Sequence, residues 1–298
     1  MSAPIPQRLN LILVIAIMSA WLAQMLVMPL VLAGHPWIMA AIVIVLLPLN
    51  TPFWSLIHEA IHKNLHSRVK INNALAQGLS IIFGASFDIL RFGHLMHHQY
   101  NRDWESEIFD PERQHPAIAW LAHYSKMLGG LYLIEVIMSG LLALSPQALA
   151  DKVLRRMFTD DRQQQAVLRA LAKPEALRRI RLDCAAIVLL YAVVFTLFGA
   201  NWWVAVLLIG GRALTISIMD NAYHYGTPAD NSVIAKELQL PRLLALFVLN
   251  FNHHATHHRN TALPWTDLKS QHDAHAAEYT EGLAPAIIAQ FKGPIRHT

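Results

Sequence analysis

Three short histidine-rich stretches constrain this chain more than anything else in it: HEAIHKNLH (His58, His62, His66), HLMHH (His94, His97, His98) and HHATHH (His253, His254, His257, His258). Within each, the imidazoles recur at i, i+3 or i+4, the spacing that puts side chains on one face of a helix, so each stretch can turn its ring nitrogens toward a common point. Ten of the seventeen histidines fall in these windows, and the HxxHH arrangement occurs twice. A lone histidine on an apolar face reads as a satisfied core residue; three clusters with this spacing read as metal ligands.

The surroundings of the clusters are greasy. Of 298 residues 54% are hydrophobic and 15% charged, too apolar and too lightly charged for an ordinary soluble enzyme, which predicts a membrane protein. The formal charge of +4 would raise nucleic acid as a partner in a soluble chain. Here the basic residues gather beside apolar spans, as on cytoplasmic membrane flanks, so no nucleic-acid partner is expected. The single cysteine, Cys184, excludes intrachain disulfides, cysteine-based zinc sites and a fused iron-sulfur domain.

Apolar runs at roughly 9–33 and 37–57 are each long enough to cross a bilayer core, and the short link between them makes an antiparallel hairpin. The first is too long for a signal-peptide core and is expected to be retained. A second hairpin is expected from 184–198 and 202–218, turning at 199–201. The predicted fold is therefore all-α, a single integral-membrane domain over 1–298 with about four transmembrane helices in two hairpins. A cytoplasmic helical cap, approximately 58–183 and 219–298, carries the histidine clusters. Lys63, Arg68 and Lys70 follow the first cluster and mark its side as cytoplasmic, that of the inner membrane in a bacterial cell. Between the hairpins, Ile71–Phe92 reads as re-entrant or interfacial and 117–144, interrupted by His123, Lys126 and Glu135, as amphipathic or partly inserted. The acidic run after the second cluster, Asp103 to Asp110, is either a solvated loop or a source of carboxylates that orient ligand rings. Ser145–Asp183, rich in arginine (Arg155, Arg156, Arg162, Arg169, Arg178, Arg179, Arg181), suits anionic headgroups or an acidic protein partner.

An all-imidazole donor set without thiolate leaves iron or zinc as the leading metals. Number separates them: a catalytic zinc takes three protein ligands and a water, whereas His58, His62, His94, His97, His98, His254, His257 and His258 make eight, with His224 of MDNAYHYG a ninth at the end of the last span. Nine ligands suit two metals. Two other classes compete. HEAIH satisfies the HExxH pattern of a membrane zinc metalloprotease, with Glu59 as general base, but that reading leaves two clusters unexplained. A metal carrier would want ligands inside the spans, facing a path across the bilayer, and these lie at span ends.

HEAIH, HLMHH and HATHH, with the hairpins around them, resemble the three histidine boxes of the integral-membrane fatty acid desaturase and hydroxylase superfamily over roughly residues 35 to 270. HHQYN before an acidic run and HHATHHRNTALPW, ending in Pro264 and Trp265, are similar to family sequence outside the boxes. The resemblance implies a non-haem centre of two iron ions held by His58, His62, His94, His97, His98, His254, His257, His258 and His224. Asn221 resembles an asparagine that holds a metal-bound water in some members, although NAYH is one residue tighter than expected for that pair. His66, two turns beyond His58, is a further candidate ligand; Glu59, His253 and Asp103 are candidates to support the ligand rings. Also implied are O2 as co-substrate, an acyl lipid or acyl-carrier substrate, and an external electron donor: ferredoxin, rubredoxin or cytochrome with its reductase. The expected reaction is acyl-chain desaturation. Hydroxylation, acetylenic bond formation, decarboxylation to a terminal alkene and carotenoid oxidation start from the same hydrogen abstraction and stay as alternatives.

Overall fold

The protein was analysed as a computed structural model, which describes residues 4–99, 107–158, 160–228, 235–274 and 280–297, with the side chains of 272–274 excepted. Its first helix, α1 (Gln7–Val31), buries Val14, Ile17, Trp21 and Met25 at helical spacing while Ile12, Ile15, Leu30 and Val31 point outward. Such an outward row of apolar side chains is costly in water and is the natural face toward lipid. After Gly34, α2 (Pro36–Ile61) returns the chain and continues through His58, four residues further than the sequence suggested. The second hairpin is α9 (Pro174–Phe198) and α10 (Trp202–His224). α9 starts about ten residues earlier than the predicted 184 because Pro174 sits at its first turn, where the missing N–H costs nothing. Tyr191 Oη accepts a 2.8 Å hydrogen bond from Arg212 Nη1; twenty-one residues apart, they would be about 30 Å apart in one continuous helix, so the chain reverses at Gly199–Asn201. The far turns of the two hairpins meet where Asn201 Nδ2 donates to Ala33 O at 2.8 Å and Trp37 packs on Trp203.

Two segments between the hairpins enter the bundle and leave on the side they came from. α3 (Val69–Phe83) descends from the first histidine cluster, turns at Gly84 (φ 101°) and gives way to α4 (Phe87–Gln99), bent 99° from it. The carbonyls that end α3 lie deep among apolar side chains, where unsatisfied polar groups are expensive. Donors from three helices reach them: Arg212 Nη1 to Ile82 O (2.8 Å) and Phe83 O (2.6 Å), Tyr191 Oη to Ile82 O (2.9 Å) and Tyr132 Oη to Phe83 O (2.5 Å). The fully buried Arg212 guanidinium also lies 4.4 Å over the Trp21 ring.

The second such segment comprises α5 (Pro116–Ser125) and α6 (Leu131–Leu144), broken at Leu128 and Gly129. By length and composition 116–144 could cross a membrane, but its contacts put both ends at the histidine end of the bundle. His123 meets the Gln290 carbonyl (2.8 Å), Gly129 packs against Ala213 halfway along α10, and the Ala143 and Ser145 carbonyls accept from Arg181 near the start of α9. The segment dips and returns, so the arginine-rich helices after it, α7 (Gln147–Met157) and α8 (Asp161–Leu171), cap the same end. Their apolar residues Ala150, Leu154, Val167 and Leu171 pack with Ile89 and Ile180, leaving Arg155, Arg156, Arg162 and Arg169 exposed.

The C-terminal part wraps this end with short elements: α11 (Arg242–Phe247), α12 (His254–Arg259), α13 (Trp265–Ala274) and α14 (Leu283–Gln290). Two parallel strand pairs pin it, β1 (Ile108–Phe109) with β4 (Ile295–Arg296) and β2 (Glu237–Gln239) with β3 (Thr280–Gly282). Trp265 Nε1 donates to Asn10 Oδ1 at 2.9 Å, and Asn10 Nδ2 donates to the carbonyls of Asn64 and Leu65. The PW pair after the last cluster therefore locks α1 to the exit of α2.

Two outcomes test this architecture. With Cys184 replaced by alanine, single cysteines at Glu112 and Ala148 should react with an impermeant maleimide from one side of the membrane and one at Ala200 from the other; labelling of 112 and 148 from opposite sides would mean that 116–144 crosses. Gly84→Ala forces a side chain into left-handed backbone and against the Tyr132 and Tyr191 hydroxyls, so thermal unfolding in detergent should report a loss of about 1–3 kcal/mol.

Candidate metal centre

The histidines converge, but not cluster by cluster. One group joins His58, His62, His94, His98 and His257; a second joins His97, His224, His254 and His258, the candidate ligand atoms of each lying within 4.8 Å of one another. The sequence suggests that each cluster serves one point, whereas α4 and α12 each serve both. A helix turns about 100° per residue, so i and i+4 nearly overlay and i+3 diverges. His94 and His98 accordingly share the first group while His97 turns to the second; His254 and His258 share the second while His257 turns to the first. The groups adjoin, with the His98 and His258 ring centroids 4.3 Å apart.

Ring nitrogens meet at distances that hydrogen bonding does not explain. In the first group Nε2–Nε2 separations are 2.9 Å for His62–His94, 2.9 Å for His94–His98 and 3.1 Å for His98–His257. In the second they are 3.0 Å for His97–His258, 3.1 Å for His254–His258 and 3.1 Å for His224–His254. One imidazole nitrogen has a single in-plane lone pair or a single proton, so His94 Nε2 cannot bond two partners, nor can His258 Nε2. Both nitrogens of His58 and the Nδ1 atoms of His224, His254 and His257 are buried with no hydrogen-bond partner among the described residues, an arrangement that is costly unless something else occupies the focus. A metal ion fits. With a metal–nitrogen bond of about 2.1 Å, two imidazoles at right angles have nitrogens about 3.0 Å apart, and at the tetrahedral angle about 3.4 Å. The observed spacings match the right angle, and five donors in one group exceed what a tetrahedral ion accepts. The HExxH protease reading loses its basis, because His58 and His62 share their focus with three further histidines.

The remaining candidates fall outside both groups. α2 ends at Ile61, and Lys63 takes a left-handed conformation (φ 65°), so the helical register that put His66 beneath His58 does not continue; His66 Nδ1 instead accepts from the Arg68 amide at 3.0 Å. Glu59 is buried beside His58, 4.0 Å from its Nδ1, and its other oxygen accepts from the Trp265 amide at 3.2 Å. Asn221, one turn before His224, donates to Gln290 Oε1 at 2.9 Å while its own oxygen is buried without a partner. Asp103 lies outside the described residues. Of the acidic run's other members, Glu107 pairs with His123 (2.9 Å) and Lys126, anchoring α5 rather than a ligand ring.

Sequence reasoning missed Glu237. This buried carboxylate meets His253 Nδ1 at 2.9 Å and accepts from the Thr256 amide (2.7 Å) and Thr256 Oγ1 (2.8 Å), so it caps the first turn of α12 from a neighbouring strand and fixes how His254, His257 and His258 are presented. His253 thus supports the third cluster through Glu237. Only a long-range contact reveals this, since Glu237 sits in no recognisable motif. Beside the centre, a cavity of about 420 Å³ runs between α4, α6, α10 and the α7–α8 cap; His94 from one group and His97 from the other form part of its wall, which is otherwise mostly apolar (Ile89, Phe92, Met138, Leu154).

Burial, and after it the neighbouring charges, hold the His62 imidazole down at about 3, and burial with the adjacent rings pushes His254 and His257 well below the ordinary value of 6.5. The rings are therefore neutral, the form that binds metal. In metal-free protein the unfolded chain takes up protons near pH 6.5 and the folded chain does not, so stability is greatest above that pH and declines as pH falls toward 3. Melting temperatures of chelator-treated protein should accordingly drop between pH 7 and pH 5; an unchanged value would contradict the buried placement of these rings.

The fatty acid desaturase family model matches residues 34–288, which takes in α2, the second hairpin and all the grouped histidines. No curated protein matches the chain. With the helical membrane fold and the paired histidine groups already established from its own residues, the chain belongs to the fatty acid desaturase family, whose members are oxidoreductases.

Proposed function

We propose that the protein is an O2-dependent diiron desaturase that introduces a carbon–carbon double bond into an acyl chain. The observation that carries this reading is the apolar cavity whose wall takes His94 from one histidine group and His97 from the other: a greasy chain seated there lies against both metal positions. His58, His62, His94, His98 and His257 hold one iron, and His97, His224, His254 and His258 the other. Two irons held by these residues would supply the power to reduce O2 with two external electrons and two protons while two hydrogens leave an unactivated chain, giving two waters.

The chain's own residues orient and isolate. Glu237 and His253 fix the presentation of the third cluster, and the Arg212 and tyrosine donors at Gly84 set the bend that delivers α4. The cap packs Leu154, Met157, Phe158 and Leu171 over the cavity, keeping water from it. Asn221, with a buried oxygen lacking a protein partner, is placed one turn from His224 to hold a water. The histidine end is assigned to the cytoplasm because Lys63, Arg68, Lys70 and the arginines of α7–α9 gather there, while the turns at 32–36 and 199–201 carry no Lys or Arg. The exposed Arg155, Arg156, Arg162 and Arg169 offer a face for a separate acidic electron donor, a ferredoxin, rubredoxin or cytochrome.

Two measurements test the proposal. Metal analysis of purified protein should find two irons per chain, and His94→Ala or His254→Ala should lower that content by about one; a single zinc would reject it. Mass spectrometry of lipids from expressing cells should find products lighter by two hydrogens. Products heavier by one oxygen without that loss would replace desaturation by hydroxylation.

A further inference from the structure

The cavity beside the metal positions is not shut on every side. Of the described side chains in its wall, Ile134 of α6 and Met157 of α7 are the exposed ones, at 53% and 48%, whereas Ile89, His94, Leu154 and Leu171 are buried. Its mouth therefore lies between α6 and the end of α7. On the side of the cap it is closed, because Phe158 packs edge-on against Phe92 with ring centroids 5.9 Å apart, beside Leu154, Leu171 and Ile89. Gly129, at the foot of the same dip, packs against Ala213 halfway along α10. Ile134 stands about 7 Å further along the helix, inside the roughly 15 Å half-thickness of a bilayer core. Ile137, Leu141 and Leu144 continue its exposed apolar face toward the cap, so the mouth opens onto lipid and not onto water.

We propose that the acyl chain enters sideways from the bilayer through this mouth, so that the substrate is a membrane phospholipid with its anionic headgroup against Arg155 and Arg156. The proposal rests on the reading of this cavity as the lipid-chain site. A chain that slides from lipid between Ile134 and Met157 exchanges one hydrocarbon surrounding for another and exposes none of its length to water. A chain delivered through water on a soluble carrier would instead have to part Phe158 from Phe92 and break the packing under the cap. Charge selects the headgroup. Arg155 and Arg156 are exposed on α7 next to Met157, and between 147 and 171 five basic residues stand against three acidic ones, Asp151, Asp160 and Asp161. Two of those three are engaged: Asp151 accepts from Gln147 Nε2 at 3.1 Å, and Asp160 caps α8 by accepting from the amides of Arg162 (3.0 Å) and Gln163 (2.9 Å). A phosphate at headgroup level meets the two arginines while its chain fills the apolar slot below. Arg162 and Arg169, which belong to α8, stay available to the electron donor.

The test uses two probes with a photoreactive diazirine at mid-chain: a phosphatidylglycerol built into nanodiscs and an acyl-CoA added to the surrounding buffer. Each is irradiated with metal-free protein and its attachment sites are mapped by peptide mass spectrometry. The phosphatidylglycerol should attach to Trp54 and Ile216 in the inner wall. Ile134→Trp, a change at the lipid-facing mouth, should lower that attachment about ten-fold and leave attachment at Leu141 and Leu144 on the outer face of α6 unchanged. Replacing Arg155 and Arg156 together by glutamine should lower it about five-fold, to the level of a neutral diacylglycerol probe; equal attachment with and without these arginines would overturn the headgroup assignment. Phosphatidylglycerol attachment untouched by Ile134→Trp, or inner-wall attachment of the acyl-CoA that survives it, would overturn sideways entry and leave the chain site standing. Failure of both probes to reach the inner wall would remove the chain site as well, whereas the iron content tests the metal centre separately.

Discussion

Nine imidazoles brought nitrogen to nitrogen in a buried layer are the constraint on which the rest of this structure depends. Left to themselves they are unfavourable: their nitrogens lose water, gain few partners and would repel if protonated. A bound cation at each focus reverses the sign of every one of these terms. Without that cation the surrounding protein must hold the rings against their own preference, which is why the groups are enclosed by helices fixed through polar locks as well as by packing. The Trp265–Asn10–Asn64 chain of hydrogen bonds, the Glu237 cap on α12 and the Gln290 contacts to Asn221 and His123 each tie a ligand-bearing element to a different part of the chain.

The second constraint is the bilayer. The grouped histidines come from both hairpins, from α4 between them and from α12 in the C-terminal part, yet meet in one layer at one end of the bundle. Two crossing hairpins deliver His58, His62 and His224 at helix ends. The other six come from α4 and α12, and α4 reaches its place only because α3 dips into the bundle and breaks there. Breaking a helix among lipid-facing neighbours exposes carbonyls that have no water to bond. A buried arginine and two tyrosines meet that need, and one consequence is that Arg212, which hydropathy alone would count against a span, is what makes the break tolerable. The bend at Gly129 does for α5 and α6 what Gly84 does for α3 and α4, and the space between α4 and α6 is the cavity. Substrate room and ligand delivery thus share one origin.

Much of this was legible in the residues. Long apolar runs define membrane helices because covering a bilayer core requires a fixed length, and both hairpins fall close to where the runs place them. Histidines at i and i+4 announce convergence because helix geometry aligns them, and every grouped histidine had been identified as a candidate. The register of His66 failed for a local reason: a pattern extrapolated past Ile61 assumes a helix that Lys63 ends. The dip of 116–144 was ambiguous because its length and composition suit a crossing and a return equally well.

The chain's covalent order alone determined that it is helical, that it suits a membrane and that imidazole is the donor its clusters offer, since periodicity, run length and side-chain chemistry are local properties. How nine rings divide into five and four, and that Glu237 and Arg212 hold them there, were decided only on folding. So was the placement of His94 and His97 in the wall of one cavity. Each of these depends on contacts between residues far apart in sequence, brought together by packing that no short window of sequence encodes.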